Sequence, residues 1–270
     1  MELTNTNLGF KNSGKYVGDN DGPAYVVYSK IGYNKATYEF HMSKAKINMK
    51  RNSDGKWTNS YIFLGIDVYD ENEEFLNCID TGFCYAGGSE EWHLFYNLLH
   101  TSESDTFSWY ESPISLNPDH DYKLELDCTE KDGYATIRIF DMNEDYKLVD
   151  TATFEVLYLK ADGSNLSLYQ DYAIDFPEDI KRDRTGENYS EDWEEVVLYN
   201  TNEGIFLNNI IIKNATLYTP EGACEWTEER NNDSFMWPSH EYKKIDYPCT
   251  RILEQNKFSD ITLDLDMNRH

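Results

Sequence analysis

The sequence predicts an all-β protein, an antiparallel two-sheet jelly-roll sandwich, and three observations carry that reading. Tyr122-Lys123-Leu124-Glu125-Leu126-Asp127-Cys128 alternates apolar and polar residues. After the turn signal Glu130-Lys131-Asp132-Gly133, Tyr134-Ala135-Thr136-Ile137-Arg138-Ile139-Phe140 alternates again. Period-two alternation rich in aromatic and β-branched residues, broken by Asp-Gly, is the pattern of a half-buried antiparallel hairpin. The same texture recurs at short, regular spacing along most of the chain, as two packed antiparallel sheets require. The third observation is that no convincing amphipathic helix interrupts it.

In chain order, residues 1–22 are polar and rich in Gly and Asn and read as a flexible lead-in. Residues 23–219 read as the sandwich. Within it, alternation predicts strands at Ala24–Ser29, Ala36–Met42, Ala45–Lys50, Tyr61–Tyr69 and Phe75–Asp80. Further strands are predicted at Glu91–Leu99, Thr106–Ser115, Tyr122–Cys128, Tyr134–Asp141, Lys147–Leu159, Glu194–Tyr199 and Ile205–Tyr218. Turn chemistry separates them at Ser53-Asp54-Gly55, Asp70-Glu71-Asn72, Asn117-Pro118-Asp119 and Asp162-Gly163. Pro177 to Ser190 reads as a charged loop. From Pro220 the periodicity weakens, and 220–270 is expected to be an irregular C-terminal extension, packing on or beside the sandwich.

A chain of 270 residues, 27% charged and 15% aromatic, has the profile of a folded protein with a sizeable core. Its net charge of −26 argues against nucleic acid, whose phosphates need clustered Lys and Arg, and against docking on anionic lipid. No run of apolar residues is long enough for membrane insertion as a helix. Met1 to Asn7 carries neither a basic n-region nor an apolar core, so no signal peptide is expected in this chain. A mature extracellular or cell-surface domain is favoured over a cytoplasmic one.

The five cysteines, Cys78, Cys84, Cys128, Cys224 and Cys249, lack metal-ligand spacing. Cys128 shares the apolar parity of Leu124 and Leu126 and reads as a core thiol, whereas Cys78 with Cys84 and Cys224 with Cys249 are open to pairing. No two of the six histidines have the spacing of a zinc site on one strand. The acidic stretches Asp19-Asn20-Asp21-Gly22 and Asp70-Glu71-Asn72-Glu73-Glu74 read as solvated turns. Either could hold a structural calcium, a hard ion that wants many oxygens; no other cofactor is expected.

Gly65-Ile66-Asp67, then Ile79-Asp80-Thr81-Gly82-Phe83, then Trp92-His93-Leu94-Phe95-Tyr96 and the Tyr122–Phe140 hairpin follow one another in a telling order. That order resembles the concanavalin A-like lectin/glucanase sandwich and, within it, the glutamic peptidases (eqolisins). Those enzymes carry Gly-Ile-Asp, Gln-Thr-Gly and Trp-Tyr-Glu-Trp-Tyr strands in the same order. The resemblance spans roughly Tyr61 to Tyr218. Asp80 stands where the Gln of Gln-Thr-Gly would be, and Leu94 where the Glu of Trp-Tyr-Glu-Trp-Tyr would be. Gln170 and Gln255, the only glutamines, lie on neither strand. Glu91 is three residues from Leu94, which puts it on the opposite face of a strand. The resemblance thus implies the fold without the family's catalytic Gln/Glu pair.

Glu125-Leu126-Asp127-Cys128-Thr129-Glu130 also matches the Glu-x-Asp-x-x-Glu spelling of family 16 glycoside hydrolases, which share this sandwich. There, alternate carboxylates flank a glycosidic bond. Here no Trp-Pro-Gly precedes the motif, Glu130 opens a turn, and Glu125 and Asp127 oppose Leu124 and Leu126, the parity a sandwich gives to solvent.

The expected function is therefore a non-catalytic, lectin-like module that binds a glycan or glycosylated surface component on one sheet. Flat rings supply contact area and carboxylates accept hydrogen bonds from sugar hydroxyls. The candidate ligand-binding residues are Asp80, Trp92, His93 and Tyr96, with Asp67 and Trp109 beside them. Alternation allows only one parity of Trp92 to Tyr96 to face a ligand. A hydrolase acting on polysaccharide or peptide is the alternative, with Asp80, Glu91, Glu125 and Asp127 as its carboxylates. A structural domain of a larger surface protein is the third reading.

Overall fold

A computed structural model describes residues 16–51, 55, 57–98, 108–183, 204–237 and 249–268. Its strands, in chain order, are β1 (Tyr16–Ser29), β2 (Lys35–Phe40), β3 (Lys46–Asn48), β4 (Ser60–Tyr69), β5 (Phe75–Ala86), β6 (Glu91–Leu98), β7 (Ser108–Glu111) and β8 (Tyr122–Asp127). There follow β9 (Tyr134–Asp141), β10 (Lys147–Glu155), β11 (Leu166–Asp183), β12 (Phe206–Thr219), β13 (Gly222–Glu225), β14 (Asn231–Trp237), β15 (Thr250–Asn256) and β16 (Asp260–Asp266). Among the described residues the only helical pieces are two 3-10 turns, Met42–Lys44 and Met142–Glu144. Among the described residues no helix is long and apolar enough to cross a membrane.

The strands form two antiparallel sheets packed face to face. The first runs β14-β1-β11-β4-β5-β6-β7, and the second β10-β9-β8-β2-β12-β16-β15, with β3 and β13 also paired to β12. The Tyr122–Phe140 hairpin forms as its alternation dictates: Leu124, Leu126, Ile137 and Ile139 are wholly buried between the sheets. From the first sheet Ile62, Leu64, Ile66, Ile79, Phe83 and Leu94 meet them, and Phe40 packs on Phe83 at 5.4 Å between ring centroids. Each fully buried side chain of this size contributes about 1.5–3 kcal/mol against the entropy of ordering the chain.

Several elements differ from the alternation-based reading. The β11 strand, inside the first sheet between β1 and β4, was not anticipated. It carries Gln170 into the core, where the amide donates to the Phe258 carbonyl (3.0 Å) and accepts from the Tyr172 hydroxyl (2.5 Å). A strand buried on both faces loses the apolar/polar contrast that marks strands in sequence. Its far end, Pro177–Asp183, read as a charged loop, continues the strand and pairs with the start of β1. That start, Tyr16–Gly22, overlaps both the expected lead-in and the Asp19–Gly22 turn. Likewise the 220–270 segment is woven into both sheets: β14 pairs with β1, and β16 with β12. β7 is shorter than the predicted Thr106–Ser115, and the predicted strand Glu194–Tyr199 lies outside the described residues.

None of the five cysteines is in a disulfide. Cys78 and Cys84 sit six residues apart on β5, an extended distance of about 20 Å, far beyond the reach of a disulfide. The 70–74 turn closes on itself, because the Asp70 carboxylate accepts from the backbone N–H groups of Asn72 and Glu74 at 2.8 Å each. These bonds hold its pKa below the ordinary carboxylate value. Among the described residues no group of three or more His, Cys, Asp or Glu is gathered as a metal site.

Candidate functional site

Because successive side chains alternate, the first sheet presents two faces. Trp92, Leu94 and Tyr96 belong to the face that packs on the second sheet. Trp92 is buried edge-on against Phe40 at 5.7 Å, and Tyr96 lies between Tyr110 (4.8 Å) and Phe154 (4.9 Å). Trp92 is core and Tyr96 is half-buried against the core, and both face the second sheet rather than the outer face, so they leave the candidate site. His93 and Phe95 take the opposite parity but are not open either. His93 Nδ1 lies 3.1 Å from the Ile114 carbonyl, with Nε2 3.6 Å from Glu91 and 3.9 Å from Glu111. Phe95 is covered by Trp109, stacked on it at 5.1 Å.

Strand register brings the remaining candidates onto one line across this outer face. Asp233 pairs with Tyr28, Tyr28 with Tyr169, Tyr169 with Gly65, Gly65 with Asp80, Asp80 with Asn97, and Asn97 with Trp109. The row crosses all seven strands of the sheet, with neighbours about 4.8 Å apart. Tyr28 and Tyr169 meet at a tilt with centroids 4.9 Å apart, and Trp109, 45% exposed, forms the open end. Gly65 is the low point of the row: a β-carbon there would lie 2.0 Å from the Tyr169 ring. A strand glycine marks such a close approach. Gly82 does the same for the parallel row, letting Phe63 and Phe95 meet edge to face at 5.7 Å.

Lying over Gly65, the Tyr169 ring carries its hydroxyl to Asp80, to which it donates a hydrogen bond. The Asn97 amide donates to the other Asp80 oxygen at 3.4 Å. Burial raises the Asp80 pKa, and these two donors oppose the rise by stabilising the anion. Asp67 is the diagonal neighbour of Asp80, since it pairs with Cys78 on the same face. It is only 6% exposed. Tyr69 donates to Oδ2 at 3.2 Å, whereas buried Oδ1 has no hydrogen-bond partner among the described residues. Burial pushes the Asp67 carboxyl up from its ordinary 3.8 to about 8; the Tyr69 hydrogen bond opposes this and repulsion from Asp80 adds to it. Asp67 is thus protonated at neutral pH while Asp80 holds two donors.

Of the sequence-predicted residues, Asp67, Asp80 and Trp109 share this face and His93 borders it. Glu91 is exposed at the start of β6. Glu125 and Asp127 lie on the outside of the second sheet, where Lys35 and Arg138 neutralise them. Lys35 Nζ is 2.7 Å from Glu125, and Arg138 is 3.0 Å from Glu125, 3.2 Å from Asp127 and 2.7 Å from Glu130. The Glu-x-Asp-x-x-Glu spelling is therefore an ion-paired surface strand, not a carboxylate pair flanking a substrate. Tyr28, Tyr69, Asn97 and Tyr169 were missed; the glycine at position 65 is the one sequence signal that pointed toward a crossing ring. A separate groove of ≈ 440 Å³, lined by Asn34, Lys35, Thr129, Tyr218 and Pro220 among others, brings no carboxyl pair together.

No family model and no curated protein sequence matches the chain. Solved structures are similar in architecture. They include scytalido-glutamic peptidase with a transition-state analogue inhibitor, at 9% identity and a TM-score of 0.45, covering 92% of this chain and 98% of that one. A family 16 endo-glucanase from Bacteroides ovatus matches at 12% identity and TM-score 0.30, over 60% of this chain and 73% of that chain. A carbohydrate-binding module, CBM66 from Bacillus subtilis, matches at 16% identity and TM-score 0.27, over 63% and 96%. The neighbours thus include eqolisin peptidases and a family 16 glucanase, as the sequence motifs suggested. At these identities the likeness bears on architecture and not on chemistry.

Proposed function

We propose that the outer face of the first sheet binds carbohydrate, with Trp109 as the stacking ring and Asn97 and Asp80 as the polar groups that orient the ligand. The observation that carries this reading is the continuous row from Trp109 through Asn97 to Asp80, an open aromatic ring beside a half-buried amide and carboxyl. A flat ring offers a sugar face contact area at low entropic cost, and acceptors two strands away fix which hydroxyls fit. A glycosylated surface component is the natural partner, and such a role suits an extracellular or cell-surface protein. A glycan array probed with the wild-type protein and Trp109→Ala tests the reading. Array signals lost in the variant support it; signals unchanged by the substitution, or none at all, overturn it.

Hydrolysis of polysaccharide or peptide is a second reading, favoured by one observation. Asp67, protonated up to about pH 8, neighbours a carboxyl that carries two donors, an arrangement from which an acid and a base can be drawn. Product release from polysaccharide or peptide substrates, lost in Asp80→Asn, would establish it.

A further inference from the structure

We infer that the ligand of this row is cationic: an oligosaccharide bearing free amino groups, its ammonium seated on Asp80 and a neighbouring sugar ring stacked on Trp109. The inference rests on the carbohydrate reading of the row and names the class of sugar.

Three observations lead to it. First, Asp67 and Asp80 are neighbours on one face, and among the described residues neither has a lysine, arginine or histidine partner. On the outside of the second sheet, by contrast, a carboxylate cluster is neutralised. Glu125, Asp127 and Glu130 share Arg138, and Lys35 serves the first two. Second, Asp67 keeps its proton, with Oδ1 buried and without a hydrogen-bond partner among the described residues, so the pair presents one carboxylate, Asp80, to a ligand. Third, Trp109 is open to solvent, and its π face attracts a cation as well as a sugar ring.

A neutral glycan would hydrogen-bond to Asp80 but leave its carboxylate without a counter-charge. An ammonium group supplies it, favours the ionised form of Asp80 and gains a charge-assisted hydrogen bond. Trp109 and Asp80 are two strand spacings apart, about 10 Å, so the ligand is an oligomer rather than a single sugar. An ammonium could also come from a lysine side chain. The exposed indole next to the Asn97 amide favours a flat, hydroxyl-bearing ring over a flexible aliphatic stem.

Isothermal titration calorimetry at mildly acidic pH tests this with four probes: a glucosamine tetramer, an N-acetylglucosamine tetramer, a glucose tetramer and trilysine. The glucosamine tetramer should bind roughly tenfold or more tighter than either neutral tetramer. Asp80→Asn, which keeps the side-chain shape and an acceptor for Tyr169, should abolish that preference. Trp109→Ala should weaken the glucosamine tetramer by about tenfold or more, and Glu144→Gln, at the exposed Lys147 pair, should change nothing. Because Asp80 is one of 50 acidic residues, diffuse attraction to the net charge would barely notice its loss. Glucosamine binding insensitive to Asp80→Asn, or weaker than trilysine binding, overturns the inference. Three tetramers bound equally also overturn it while leaving the carbohydrate reading intact. No binding by any sugar ends both.

Discussion

The Tyr169 hydroxyl reaches Asp80 by passing its ring over the backbone of Gly65, so that one side chain spans from β11 to β5 across β4. Gly65 pairs with Tyr169 on one side and with Asp80 on the other. The first residue of the Gly-Ile-Asp motif is thus a saddle for a phenol, and the motif's aspartate, Asp67, lies two residues further along the same face. Loss of either end of this bridge reaches the candidate site.

Gly65→Ala should be destabilising, because a β-carbon would sit 2.0 Å from the Tyr169 ring, inside van der Waals contact. Forcing the ring aside costs about 1–3 kcal/mol, by analogy with overpacked cores. Combining it with Tyr169→Ala should recover part of that cost. Denaturant unfolding of the two single variants and the double variant measures the coupling. Strictly additive effects would show that the ring does not rest on Gly65.

Asp67 should make stability depend on pH. Its folded pKa, about 8, lies above the unfolded value of 3.8, so the folded state holds the proton more tightly. Its contribution is present in full below about pH 4 and is lost as pH rises through about 8. Within that window the loss approaches about 1.4 kcal/mol per pH unit for a single proton. Asp67→Asn removes the titration. The difference in unfolding free energy, wild type minus variant, should therefore fall with rising pH between those limits. A flat difference would mean that Asp67 is not the buried neutral acid described above.

The Tyr122–Phe140 hairpin was legible because its two parities differ: Leu124 and Leu126 against Glu125 and Asp127. At Trp92 to Tyr96 that contrast is missing. Trp92, Leu94 and Tyr96 are apolar on one parity and Phe95 is apolar on the other, because the first sheet is covered on both sides there. The strand could be read from sequence, but its facing could not. Asp67, Asp80 and Trp109 were found as polar or aromatic residues on predicted strands. The ring that crosses to Asp80 comes from β11, which pattern reading missed because Gln170 occupies a core position. Tyr169 and Asp80 are 89 residues apart in sequence. Such a contact is set by strand order in the sheet and leaves no local trace beyond the glycine it crosses.

All five thiols should be titratable without reductant once the protein is unfolded, since none is in a disulfide. In the native state Cys224, the one cysteine that is not fully buried, should alkylate first. Burial also raises the pKa values of the Cys78, Cys84 and Cys128 thiols and so suppresses their reactive thiolates. Mass spectrometry after native and denatured alkylation counts both sets. A mass two hydrogens short per pair, restored by reductant, would contradict the free thiols.

Trp92 and Trp109 should separate stability from binding. Trp92 is 3% exposed and packs on Phe40 and Tyr85 between the sheets. Trp92→Ala should cost about 3–5 kcal/mol through the cavity it leaves. Trp109 is 45% exposed, and among the described residues its ring meets the stacked Phe95 and the edge-on Tyr61. Trp109→Ala should cost about 1 kcal/mol, the worth of such ring pairs, but should remove most binding to the outer face. Thermal melts and a glycan-binding titration of both variants place each on one of the two axes. If Trp109→Ala lowers the melting temperature as far as Trp92→Ala and leaves binding untouched, the outer face of the first sheet is packing surface and the site must lie elsewhere.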